Sequence, residues 1–115
     1  MRGMNFRKLE VYQTALRFLP LAIALADGLL PRYSALADQL RRPALSIPLN
    51  IAEGSGKSTG PDQRRFHSIA RGSAMECAAI IDACAALAVI KEPQAQEADQ
   101  LLLSVVRMLS KMCRI

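Results

Sequence analysis

Residues 50–76 read NIAEGSGKSTGPDQRRFHSIARGSAME. Ile47, Ile51, Phe66, Ile69 and Ala70 are apolar on either side of a polar run from Glu53 to Arg65. Gly54 stands where a helix ending calls for a residue that enters the left-handed conformation without a Cβ penalty. Gly60-Pro61-Asp62 announces the next helix. Proline suits a first turn whose N–H has no partner, and aspartate complements the positive end of the helix dipole. Two helices joined by so short a loop run antiparallel.

Working outward, Phe66, Ala70, Ser73, Cys77, Ile80, Cys84 and Leu87 recur in steps of four and three, as do Leu36, Leu40, Ala44, Ile47 and Ile51. Each set is one apolar seam of a helix. A single antiparallel register sets Ile51 against Phe66, Ile47 against Ala70, Ala44 against Ser73 and Leu40 against Cys77. It also brings Arg41 across from Glu76 and Glu53 across from Arg64, as flanking ion pairs worth about 0–1 kcal/mol each. Arg64, Ser68 and Arg71 then fall on the face opposite the seam, free for a partner. Gly72 inside the helix is unfavourable by roughly 1 kcal/mol relative to alanine, which close approach of a neighbouring backbone would explain.

A first helix is expected over residues 7–29, its seam made of Leu9, Tyr12, Leu16, Leu19, Ile23, Ala26 and Leu30. The second begins near Ser34, a helix cap; the third spans residues 61–90 and the fourth residues 93–112. Ala98, Leu101, Leu102, Val105, Leu109 and Met112 point inward from the fourth. Pro20 predicts a bend, and Pro43 and Pro48 predict kinks or a short break. Asn50, two positions after Pro48, is read as a cap of that kinked helix end, in preference to a donor to a carbonyl that Pro48 leaves free. The fold class is all-α: an antiparallel up-down-up-down four-helix bundle, one domain over residues 1–115.

Two motifs are decoys. Gly56-Lys57-Ser58 resembles the end of a phosphate-binding loop, but the glycine required five residues earlier is Ile51 and a helix, not a strand, precedes it. Ala24-Leu25-Ala26 resembles a signal-peptidase site, yet the apolar periodicity of the first helix continues through it. The apolar run there is shorter than the ~20 residues a membrane span needs.

The chain carries 15 basic and 10 acidic residues, a net charge of +5. The charge is unevenly placed: residues 32–71 hold seven basic groups and three acidic, residues 72–104 one basic and five acidic. A basic hairpin end suits a polyanion, and equally suits head-to-tail packing of identical subunits. Cys77 and Cys84 lie about 10 Å apart along one helix face, too far for a disulfide. Buried reduced thiols point to the cytoplasm. No Cys/His spacing supports zinc, and no cofactor is implied. His67 has no nucleophile or carboxylate beside it in sequence, and Glu53 and Glu76 read as structural acids beside arginines, so no catalytic constellation emerges.

Phe6 with Leu9-Glu10-Val11-Tyr12, then Gln39-Leu40-Arg41-Arg42, Ser46-Ile47-Pro48 and Asn50-Ile51-Ala52-Glu53-Gly54, then Phe66, Ile69-Ala70-Arg71-Gly72-Ser73-Ala74 and Glu76, form a specific combination. Over nearly its whole length the chain resembles the bacterial four-helix-bundle family of proteins encoded in intervening sequences of large-subunit ribosomal RNA genes. Pro43 and Cys77 depart from that family's usual alanine and leucine. The family is similar in fold to the accessory variability protein of diversity-generating retroelements, a basic pentameric bundle that binds nucleic acid and a reverse transcriptase. The resemblance implies a homo-oligomer, a ring of five, and structural roles for Asn50, Glu53, Gly54, Gly72, Ser73 and Glu76.

Two functions follow as expectations. The first is a non-enzymatic bundle that binds the RNA or DNA backbone through Arg41, Arg42, Lys57, Arg64, Arg65 and Arg71. With no interleaved exposed aromatics, base stacking is not expected. The alternative is a protein-interaction adaptor with no nucleic-acid partner.

Overall fold

A computed structural model of the chain describes residues 4–114. A 3-10 turn, Asn5–Lys8, precedes four α-helices among these residues: α1 (Glu10–Gly28), α2 (Ser34–Ser55), α3 (Gly60–Ala86) and α4 (Glu92–Cys113). Paired contacts give the directions. From Ser46 to Gly54 along α2, the facing positions on α3 fall from Ser73 to Phe66. From Arg64 to Arg71 along α3, the partners on α4 fall from Cys113 to Ser110. Arg41, early in α2, reaches back to Asp27 near the end of α1. Neighbouring helices are therefore antiparallel, in the up-down-up-down order expected.

The seams of α2, α3 and α4 form the core. Leu40, Ala44, Ile47 and Ile51 meet Ala70, Ala74, Cys77 and Cys84, with Ala98, Val105 and Leu109 closing from α4, all at most 1% exposed. Leu87, placed at the end of the α3 seam from sequence, is 51% exposed instead, because α3 ends at Ala86 and the chain turns away through Ala88 at φ 58°. Thr59 caps the start of α3, its Oγ1 accepting from the Asp62 N–H at 3.3 Å. Ser34 opens α2 without capping it.

Helix α1 buries only part of the seam its periodicity suggested: Ala26 is fully buried and Leu9, Tyr12 and Leu19 pack half-buried against the core. Val11, Ala15, Phe18, Ala22, Leu25 and Leu29 are buried, whereas Leu16, Ile23 and Leu30 of the expected seam are 41%, 37% and 46% exposed. Both stripes have helical spacing. Packing selected the one that carries Phe18, fully buried and the largest side chain in the core. Proline breaks no helix. Pro20 lies inside α1, and Pro43 and Pro48 lie buried inside a continuous α2, where packing offsets the missing N–H groups.

Both glycine expectations are corrected. Gly54 is not a left-handed helix terminator; it is buried within α2, and no described glycine has a positive φ. A Cβ there would lie 2.9 Å from His67 Cδ2, His67 Nε2 and Phe66 Cβ. The missing side chain is what lets α2 and α3 touch. Gly72 has open space where a Cβ would go, so no close neighbour accounts for it.

Candidate nucleic-acid interface

The α2–α3 contact begins from polar atoms. Asn50 Nδ2 donates to the Ser46 carbonyl and to Ser46 Oγ, both at 2.9 Å, and Ser46 Oγ lies 2.9 Å from Ser73 Oγ. Asn50 thus braces Ser46 and does not cap the helix. Ser46, outside the expected set of structural residues, is the member that joins Asn50 to Ser73 across two helices. This bridge and the Gly54 contact set the register two to four residues further along α2 than the apolar seams alone suggest.

That shift removes both expected ion pairs. Arg41 binds Asp27 at 2.9 Å and Asp38 at 3.1 Å, not Glu76, because the α1–α2 turn delivers Asp27 beside it. Neither Glu53 nor Glu76 has an ion-pair partner among the described residues, and both are exposed. Glu76 instead lines a shallow groove of about 310 Å³ with Gln39, Arg42, Pro43, Ser46 and Ser73.

The six expected nucleic-acid contacts do not form one patch. Arg41 is neutralised at the α1–α2 end, and Arg42 lies on the α2–α3 groove. Arg71 is not on a free face: its Nε donates to Ser110 Oγ at 2.8 Å, between α3 and α4. Lys57 and Arg65 meet over the Phe66 ring beside the α2–α3 loop, while Arg64 faces the end of α4. The Lys57 Nζ lies 4.8 Å and the Arg65 guanidinium 4.4 Å from the centre of the Phe66 ring. Each such contact is worth about 0.5–1 kcal/mol and holds a long side chain in place. It also covers the Phe66 ring.

Sequence reasoning missed two members of this end. Arg114 lines a pocket of about 320 Å³ with Gly60, Gln63, Arg64, His67 and Met112, and Lys111 lies in the last turn of α4. Their signal was present in the separate basic run after residue 104, but joining it to the hairpin requires knowing that α4 ends beside the start of α3. Chain order brings Arg7 and Lys8 to the same end. The opposite end holds Asp27, Asp38, Asp82, Glu92, Glu97 and Asp99 against Arg32, Arg41 and Lys91.

Titratable groups inside this end are adjusted by burial. The Cys113 thiol is pushed up by burial while the cations of Arg71 and Arg64 pull it back down. His67 is 5% exposed, and burial holds its pKa below the ordinary 6.5 against an opposing influence from the Ile51 carbonyl. Its Nε2 is buried with no hydrogen-bond partner and packs over Gly54. The ring thus sits between α2 and α3 with one nitrogen toward the Ile51 carbonyl and the other unpaired. No helix among the described residues is long and apolar enough to cross a membrane.

Comparison with known proteins agrees with this architecture. A crystal structure of a protein of unknown function from the S23 ribosomal protein family of Bacteroides thetaiotaomicron VPI-5482 superposes with a TM-score of 0.85, at 19% identity, covering 91% of this chain and 99% of that one. At that identity the likeness speaks for the fold alone. No curated protein matches the chain. The family model described as 23S rRNA-intervening sequence protein matches residues 7–111, and the chain belongs to that family.

Proposed function

We propose that this protein is a non-enzymatic helical bundle that binds the phosphate backbone of RNA or DNA with the end carrying Lys57, Arg64, Arg65, Lys111 and Arg114. The observation that carries the reading is that these cations, from three separated stretches of sequence, share one end of the bundle. Arg7 and Lys8 extend the basic end, while Arg41 is excluded from it by its two aspartates. Phosphate recognition is the chemistry such a surface supplies. With Phe66 covered by two cations, the loop has no open ring for a base to stack on, so binding is not sequence-selective.

A few exposed cations make a weak site, and repetition strengthens it. The protein acts as a homo-oligomer, a ring of five by the family resemblance, in which copies of the basic end engage one polyanion together. The second apolar stripe of α1, with Leu16 and Ile23 exposed, supplies a face for a second copy.

The test is a salt titration of binding to a labelled single-stranded RNA. If about four phosphates are contacted, log K falls with log salt at a slope near −3. The triple variant Lys57→Glu, Arg64→Glu, Arg65→Glu abolishes retention, while Arg41→Glu leaves it nearly intact. Absence of retention at low salt, or equal loss in both variants, overturns the reading. Light scattering across a size-exclusion peak gives the assembly, and the 260/280 nm ratio reports co-purifying nucleic acid.

A further inference from the structure

The α3–α4 face carries a second surface whose chemistry is opposite to the basic end. Met75, Ala78 and Ala79 of α3 and Leu102, Leu103 and Val106 of α4 line an apolar groove of about 320 Å³. Met75 and Leu103 are 51% and 45% exposed, large apolar side chains turned to solvent at its rim. Asp82 and Asp99 stand at one end of the groove. They are shared with an adjoining groove of about 240 Å³ that adds Glu92, Gln96, Ile81, Ala85 and Ala95.

No lysine or arginine lines either groove. The ion pairs among the described residues are those of Arg41, so Asp82, Asp99 and Glu92 have no ion-pair partner, although Lys91 precedes Glu92 in the chain. Glu92 has only a long hydrogen bond, 3.5 Å, from Gln96 Nε2. An apolar trough ending in uncompensated carboxylates specifies an occupant. It must bring apolar side chains for one section and positive charge for the other.

We propose that this surface docks a basic amphipathic helix of another protein. A trough between two antiparallel helices accepts a third helix by the same ridge-and-groove packing that holds the bundle. Asp82 lies seven residues beyond Met75 on α3, and Asp99 four before Leu103 on α4, so the acidic section begins roughly 6–10 Å along the groove from the apolar one. The docked helix presents large apolar residues at i and i+4 and a lysine or arginine near i+7 or i+8. The site lies on a different face from the basic end and stands whether or not nucleic acid binds there.

The probe is a fluorescein-labelled synthetic helix of about four turns, with leucine at i and i+4 and lysine at i+7 and i+8, titrated with the full-length protein by anisotropy. The comparison probe has glutamate in place of the lysines. The lysine probe binds, the glutamate probe binds at least tenfold more weakly, and the Asp82→Asn/Asp99→Asn variant removes most of that difference. Leu103→Glu abolishes binding of the lysine probe while leaving the helical circular dichroism unchanged. Equal affinity for both probes, no binding of either, or indifference to Leu103→Glu overturns the proposal. So does a fall in oligomer size on Leu103→Glu, since the groove would then belong to a second copy of this chain.

Discussion

Replacing Gly54 with alanine isolates what holds α2 against α3. The new Cβ would lie 2.9 Å from two ring atoms of His67 and from Phe66 Cβ. The Phe66 atom sits next to the backbone and cannot swing aside, so the helices must separate by several tenths of an ångström. Overpacking of this kind costs about 1–3 kcal/mol. Alanine is favoured over glycine in a helix by up to about 1 kcal/mol, and less in a last turn such as this one. The net expectation is a loss of about 1–2 kcal/mol. Gly72→Ala is the internal control: it adds the same atom to open space, so it should stabilise by up to about 1 kcal/mol. Urea unfolding at one protein concentration measures both, and holding concentration fixed removes any contribution from assembly. A Gly54→Ala protein as stable as Gly72→Ala would show that the close approach of α2 to α3 carries no weight.

Three further expectations are cheaper to check. His67 is the chain's one histidine, and burial holds its folded pKa below 6.5. Stability is therefore full above pH 6.5 and declines as the unfolded chain gains a proton the folded one resists, until the pH passes below the folded pKa. Urea midpoints at pH 7.5 and 5.5 should differ for the native protein and coincide more closely for His67→Asn. A double-mutant cycle of Ser46→Ala and Ser73→Ala should give a coupling of about 0.5–1.5 kcal/mol; Ser46→Ala should be the costlier single change, because it also leaves Asn50 Nδ2 without one acceptor. Iodoacetamide should modify half-buried Cys113 well before Cys77, fully buried and with its thiol pushed up to about 12, and peptide mapping of the singly labelled protein would expose any other order.

The bundle was legible in sequence because its apolar residues recur at helical spacing and its loops are short. What periodicity cannot supply is a choice between two stripes of equal spacing. In α1 it favoured Leu16 and Ile23, and volume favoured Phe18. Register failed for a similar reason. The recurrence of small and apolar residues along both seams does not by itself single out one register; the Ser46–Ser73 hydroxyls and the absence of a side chain at Gly54 mark the one adopted. At the candidate interface, sequence located the loop cations but counted Arg41, which is held by Asp27 from α1 and by Asp38 one turn earlier on its own helix, and Arg71, which turns toward Ser110. It left out Arg114 and Lys111, which are distant in sequence and adjacent only after folding.

The separation of charge along the molecule bears on how its surroundings perceive it. The longest dimension is 44 Å, and at 0.1 M salt an electric field decays over about 10 Å. A ligand at one pole is therefore blind to the other. The net charge of +5 describes the molecule only to an electrode far away in dilute buffer; at close range it is two bodies of opposite sign on one rod. Such a protein should adhere to cation- and anion-exchange resins alike, each holding it by a different pole.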